Sequence, residues 1–145
     1  AMLPFCGYNM ADYFRHWLDL GHRLEVAKAK LPAIFCVNWF RTDEQGRFVW
    51  PGYSENMRVL QWMIGRIEGK AGGTEHVFGH SPRYEDLDWR GLEFGRGEFE
   101  KITAIDAAQW KREFELHEEL FRMLAHGLPH HLPETKAALE KRLAA

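Results

Sequence analysis

The stretch "NWFRTDEQGRFVWPGYSEN", residues 38–56, sets Trp39, Phe40, Phe48, Trp50 and Tyr53 among Arg41, Asp43, Glu44, Arg47 and Glu55, with Gly46, Pro51 and Gly52 as punctuation. A buried strand would lack the charges, and an ordinary surface loop would lack the rings. Such a mixture suits a flat ligand gripped between ring faces, an arrangement worth about 0.5–1.5 kcal/mol per ring pair beyond area burial. A purine is one such ligand. Asn56 carries a donor and an acceptor for a guanine or adenine edge. Arg41 and Arg47 could meet phosphates. The competing reading is that rings after a strand fill a core, and Trp39 and Trp50 are expected to be mainly structural for that reason.

Other chemistry-bearing residues carry less. His126, His130 and His131 cluster near "AHGLPHHLP". No carboxylate or cysteine completes a metal-ligand set by spacing, so they read as exposed helix-end histidines. Glu113, Glu115, Glu118 and Glu119 read as a solvated helix face. His16 and Trp17 read as packing residues on an aromatic helix face. Cys6 and Cys36 show no C-x-x-C pattern and are expected to be free thiols, which favours a cytoplasmic setting.

These residues need elements to position them. "YNMADYFRHWLDLG" predicts a helix capped by Asn9, with an apolar stripe of Tyr13, Phe14, Trp17, Leu18 and Leu20 and a stop at Gly21. "HRLEVAKAKLP" reads as a basic connector. Ala33–Val37 predicts a buried strand, which places the aromatic loop at a strand's C-terminal end, where ligands commonly sit in α/β architectures. "ENMRVLQWMIGRIEG" predicts a helix with Val59, Leu60, Met63, Ile64 and Ile67 on one face, ended by Gly69. The glycine-rich segment from Lys70 to Lys101 reads mostly as loop, with a short strand near His76–Phe78. A long helix follows, capped by Asp106 and stopped at Gly127, with Ile105, Trp110, Phe114, Leu120, Phe121 and Leu124 on its apolar face. A short helix opens at Pro133. The result is a mixed α+β, helix-rich piece with few strands, divided into a half at 1–69 that carries the aromatic loop and a half of loop plus C-terminal helices at 70–145.

The chain has 145 residues, is 46% hydrophobic and carries a formal net charge of −2. That length suits one domain or part of a larger one. The charge gives no electrostatic case for nucleic acid or an anionic membrane. No apolar run reaches the eighteen or so residues of a membrane span. Ala1 and Met2 run into "LPFCGYN" without a polar lead-in, as if cut from a longer chain.

Pro4–Asn9 (PFCGYN), Leu31–Arg41 (LPAIFCVNWFR), Asp43–Phe48 (DEQGRF) and Trp50–Leu60 (WPGYSENMRVL) occur in an order and spacing that resemble the C-terminal part of the GTP-dependent phosphoenolpyruvate carboxykinases. The likeness is tight over about half the chain and looser beyond Gly69. It implies that Phe40, Phe48 and Tyr53 enclose a guanine base and that Asn56 reads its edge. Tyr53 stands where many relatives have phenylalanine, which keeps the stacking face and adds a hydroxyl. Cys36 stands where a histidine or similar residue is common. The resemblance further implies a parent enzyme that converts oxaloacetate and GTP to phosphoenolpyruvate, GDP and CO2, with Mn2+ or Mg2+ held by lysine, histidine and aspartate. No G-x-x-x-x-G-K-[ST] pattern occurs in this sequence, and Cys6 lies in a different family segment from the reactive cysteine. The resemblance therefore implies no catalytic residue and no metal ligand here. Its partners would be a guanine nucleotide and the remainder of the parent enzyme. A non-catalytic purine-binding module and a protein-docking domain stand as alternatives.

Overall fold

The computed structural model describes residues 3–145, so the opening Ala1 and Met2 lie outside the described residues. Helices dominate: α1 (Met10–Val26), α2 (Asn56–Ile67), α3 (Arg96–Thr103), α4 (Ala107–Met123) and α5 (His131–Leu143). A two-stranded antiparallel ribbon, β1 (Thr74–His76) and β2 (Gly79–Ser81), pairs Thr74 with Ser81 and His76 with Gly79. This is the expected α+β character. The chain divides into two compact units, Ala33–Ile105 and Ala1–Pro32 with Asp106–Ala145.

In the second of these, α1 starts as expected. Asn9 Oδ1 accepts from the backbone N–H of Ala11 at 2.9 Å, satisfying a donor the helix cannot. The helix does not stop at Gly21 but runs through the supposed connector to Val26. Its end comes where Lys28 turns left-handed at φ 54° and Ala29 N–H reaches back to Leu24 C=O at 2.9 Å. Glycine tolerates a helix interior at a cost of roughly 1 kcal/mol, so Gly21 alone did not break it. Of the expected stripe, Tyr13 and Phe14 are half-buried, whereas Trp17, Leu18 and Leu20 are exposed. Asp106 caps α4 through Gln109 N–H at 2.9 Å. Phe114 is the buried anchor of α4, and Ile105 lies outside the helix. The helix ends before Gly127, where a Cβ would meet Ala11 Cβ at 3.2 Å. α5 opens two residues ahead of Pro133, which occupies its first turn. Lys136 on α5 pairs with Glu118 on α4 at 3.4 Å.

The Ala33–Ile105 unit is built on aromatic packing. Trp50, Trp62, Leu87, Phe94 and Phe99 form its buried centre, flanked by Phe35, Trp39, Val59, Met63, Tyr84, Trp89 and Ile102. Tyr84, Trp89 and Phe94 stack in sequence, with centroids 5.1 Å apart at each step. Their polar handles are met locally: Tyr84 OH donates to Phe94 C=O at 2.9 Å, and Trp89 Nε1 donates to Tyr84 C=O at 2.7 Å.

Three expectations are corrected here. Ala33–Val37 is irregular, not a strand, and Ile34 and Val37 are exposed while Phe35 alone packs inward against Trp62. A strand needs a ladder partner, and among the described residues none pairs with this segment. On α2 the buried residue is Trp62, flanked by Val59 and Met63, whereas Leu60, Ile64 and Ile67 are exposed together with Met57. The helix therefore has two apolar faces, and the bulkier ring took the core. Finally, α3 begins at Arg96, within the segment read as loop, and runs past its end to Thr103. Phe99 and Ile102 anchor it despite Gly97 in its first turn, because burying those side chains outweighs weak propensity, and Gly95 sits at the N-cap, where glycine is tolerated.

These two faces of α2 should respond oppositely to mutation. Trp62→Ala is expected to cost about 3–5 kcal/mol, since it empties the core and strands the Gly72 carbonyl that the indole donates to at 3.0 Å. Ile64→Ser on the same chain should stay within about 0.5 kcal/mol. Urea denaturation of both variants checks this.

Candidate functional site

The aromatic loop is a small hairpin. Asn38 Oδ1 accepts from Phe40 N–H at 3.1 Å, which turns the chain at Trp39–Phe40. Thr42 and Phe48 then form an antiparallel bridge, extended by Val49 N–H to Arg41 C=O at 2.9 Å. The hairpin closes over Asp43–Gly46, with Gly46 N–H bonded to Asp43 C=O at 3.0 Å. Gly46 has φ 75°, a left-handed position that suits a residue with no Cβ.

Asp43 organises that turn. Its Oδ1 accepts from the backbone N–H groups of Arg47 at 2.9 Å and Gln45 at 3.0 Å, and its Oδ2 accepts from Arg47 Nε at 2.9 Å. The Arg47 backbone bond, with the Arg47 guanidinium and Gln45 N–H, holds the Asp43 carboxyl below its ordinary 3.8. Arg41 is equally committed. Its Nη1 donates to Ala104 C=O at 2.9 Å and Ile102 C=O at 3.3 Å, at the C-terminal end of α3 where a cation is favoured. Neither arginine is therefore a loose phosphate anchor: Arg41 pins the hairpin base and Arg47 its tip.

The hairpin brings Phe40 and Phe48 together, with ring centroids 5.9 Å apart at 63°. Both rings face outward, 72% and 65% exposed, and Tyr53 is 91% exposed at the start of a 3₁₀ turn that leads into α2. Trp39 and Trp50 instead pack inward, 5.7 Å apart, as expected of structural residues.

Asn56 is the first residue of α2. Its side-chain Oδ1 accepts a 2.8 Å hydrogen bond from Trp50 Nε1. Next to it, Glu55 Oε2 accepts from Arg58 Nε at 2.6 Å, and Arg58 also donates to Asp88 C=O and, at 3.1 Å, to Arg90 C=O. The Arg58 bond, with help from Ser54, lowers the Glu55 pKa. Arg58 thus ties the start of α2 to the 88–90 segment. Sequence reasoning missed both the Arg58 clamp and the Trp50–Asn56 bond. The second had a signal: an indole in an apolar run needs an acceptor, and an asparagine follows six residues later.

A metal-capable group occurs elsewhere. His130, His131 and Glu134 place one ligand atom each within 4.8 Å of one another, all exposed. Glu134 supplies the carboxylate that spacing had not revealed, because His130 and Glu134 lie one helical turn apart, and His126 is not part of the group. The set is rich in imidazole, whereas Mg2+ and Mn2+ favour oxygen ligands. It belongs to the other unit from the aromatic loop and does not fit a phosphoryl-transfer metal.

A family profile described as the phosphoenolpyruvate carboxykinase C-terminal P-loop domain matches residues 1–142. The chain belongs to the GTP-dependent phosphoenolpyruvate carboxykinase family. It is 43% identical over 145 residues to the phosphoenolpyruvate carboxykinase [GTP] of Corynebacterium efficiens and 41% identical to that of Corynebacterium jeikeium, covering all of this chain and 23% of each relative. The enzyme of the same name from Treponema pallidum is 41% identical over 144 residues, 99% of this chain and 23% of that relative. The chain thus spans about a quarter of the length of these relatives. No helix among the described residues is long and apolar enough to cross a membrane.

The Asp43 turn makes a pH prediction. Its pKa is depressed in the folded state, so its contribution is present above the unfolded value and lost as pH falls through the folded one. Exchange protection of the Gln45 and Arg47 amides should hold at neutral pH and decline only below 3.8. Asp43→Ala should remove that protection at neutral pH. Hydrogen exchange followed by NMR measures both.

Proposed function

We propose that this chain supplies the guanine-base pocket of a phosphoenolpyruvate carboxykinase that uses GTP. In the full polypeptide, oxaloacetate loses CO2 and the resulting enolate oxygen attacks the γ-phosphorus of GTP, giving phosphoenolpyruvate and GDP. The base would lie against Phe40 and Phe48 with Tyr53 closing a third side, and Asn56 would meet its edge. The observation that carries the reading is the outward pair Phe40 and Phe48, two exposed rings held in contact by a pinned hairpin whose neighbouring tryptophans are turned inward. Exposed rings cost hydration free energy unless something covers them, and the relatives' shared name includes GTP. A planar base inserted there would replace one edge-to-face contact with two stacked ones. The phosphate cradle, the Mn2+ or Mg2+ site and the reacting centre would lie outside these residues, so the chain by itself would bind and not catalyse.

The same exposed rings also suit a second reading, a docking surface for another protein. Titration with GDP and with ADP, followed by tryptophan fluorescence on this chain and on the full-length polypeptide, separates the two. Saturable binding with GDP tighter than ADP supports the pocket. No response from either protein would sink it in favour of docking. Phe40→Ala should weaken GDP and ADP alike by about two- to tenfold, whereas Asn56→Ala should mainly shrink the ratio between them.

A further inference from the structure

We infer that Trp50 is a specificity-determining positioning residue: its buried indole N–H orients the Asn56 carboxamide so that the amino group, and not the carbonyl, is presented to a bound base. The inference rests on the guanine-pocket reading and adds what selects guanine over adenine.

An indole nitrogen can only donate a hydrogen bond. Trp50 is 5% exposed, so water does not readily replace a lost partner, and the atom 2.8 Å from its Nε1 must be an acceptor. That assigns Oδ1 of Asn56 without ambiguity, where an isolated asparagine could be flipped. Flipping the amide would set NH2 against N–H and leave a buried donor unmet, a penalty of roughly 5- to 150-fold in population. The indole cannot turn away to relieve it. Its ring packs against Trp39 and Phe94 at 5.7 Å and Trp89 at 6.5 Å. The Asn56 main chain is equally fixed, as its N–H bonds to Tyr53 C=O at the start of α2.

With Oδ1 occupied, the Nδ2 amino group is the part of Asn56 left for a ligand, and no described residue accepts from it. A donor at that place matches an acceptor on the base. Guanine has a keto oxygen at C6, whereas adenine has an amino group there. Guanine would gain a bond and adenine would face donor against donor. Read from sequence, the asparagine could serve either purine; the tryptophan six residues earlier removes the choice.

The test compares GDP and ADP dissociation constants for the full-length protein carrying wild-type Trp50, Trp50→Phe, and a site-specifically incorporated benzothienylalanine at position 50. The last keeps the bicyclic shape and replaces N–H with sulfur, so it guards against Trp50→Phe simply failing to fold. Both changes free the amide to rotate. The expected result is a 5- to 100-fold fall in the GDP:ADP preference, with GDP weakened and ADP strengthened. A merely structural tryptophan would lower both affinities by one factor, and an unchanged ratio in the benzothienyl variant would overturn the inference alone. A wild-type protein with no preference for GDP would overturn the guanine reading and this inference with it.

Discussion

A tryptophan buried in a small aromatic core brings a donor that water cannot serve, and leaving it unmet costs about 1–3 kcal/mol. Most of the Ala33–Ile105 unit is arranged around that constraint. Trp62 meets it with Gly72 C=O, the half-buried Trp89 is served in the same way by Tyr84 C=O, and Trp50 meets it with the Asn56 side chain. The first two solutions use backbone and stay inside the fold. The third uses a side chain at the surface end of α2, so a core requirement fixes the chemistry of a surface group. The position of α2 follows as well, because Asn56 must begin the helix within reach of the indole and Arg58 holds that end to the 88–90 segment.

The hairpin obeys a related economy. Its charges are spent internally, Asp43 on its own turn and Arg41 on the last carbonyls of α3. Exposed ion pairs are worth little in isolation, but these charges are bonded to backbone groups and so hold the shape of the turn and its base. Two rings can therefore face outward on a backbone that does not depend on them for its shape.

Local chemistry was what the sequence made legible. The Asn9 and Asp106 caps, the stop at Gly69, and the inward Trp39 and Trp50 all follow from the residue and its immediate neighbours. Gly21 and α3 are misread from sequence because propensity is a weak term that packing overrides: one glycine does not end α1, and Gly97 does not prevent α3 once Phe99 is buried. The faces of α2 were misassigned because a period of 3.6 finds an apolar stripe without saying which stripe meets the core, and Trp62 lies off the aliphatic one. The segment Ala33–Val37 has the composition of a strand, but a strand is a relation between two segments, and no partner for it is found among the described residues. At the candidate site the four residue types were visible at once, whereas the orientation of Asn56 was not, since it depends on a bond to a ring packed elsewhere.

The outward pose of Phe40 and Phe48 has a consequence for kinetics. Nothing in the hairpin covers the pair, so a planar molecule can reach it from the side without waiting for a segment of this unit to move. Arrival would then be nearly indifferent to which purine is arriving. If the pair holds a purine as proposed, selection would fall on departure, and the two nucleotides would differ in how long they stay far more than in how fast they come.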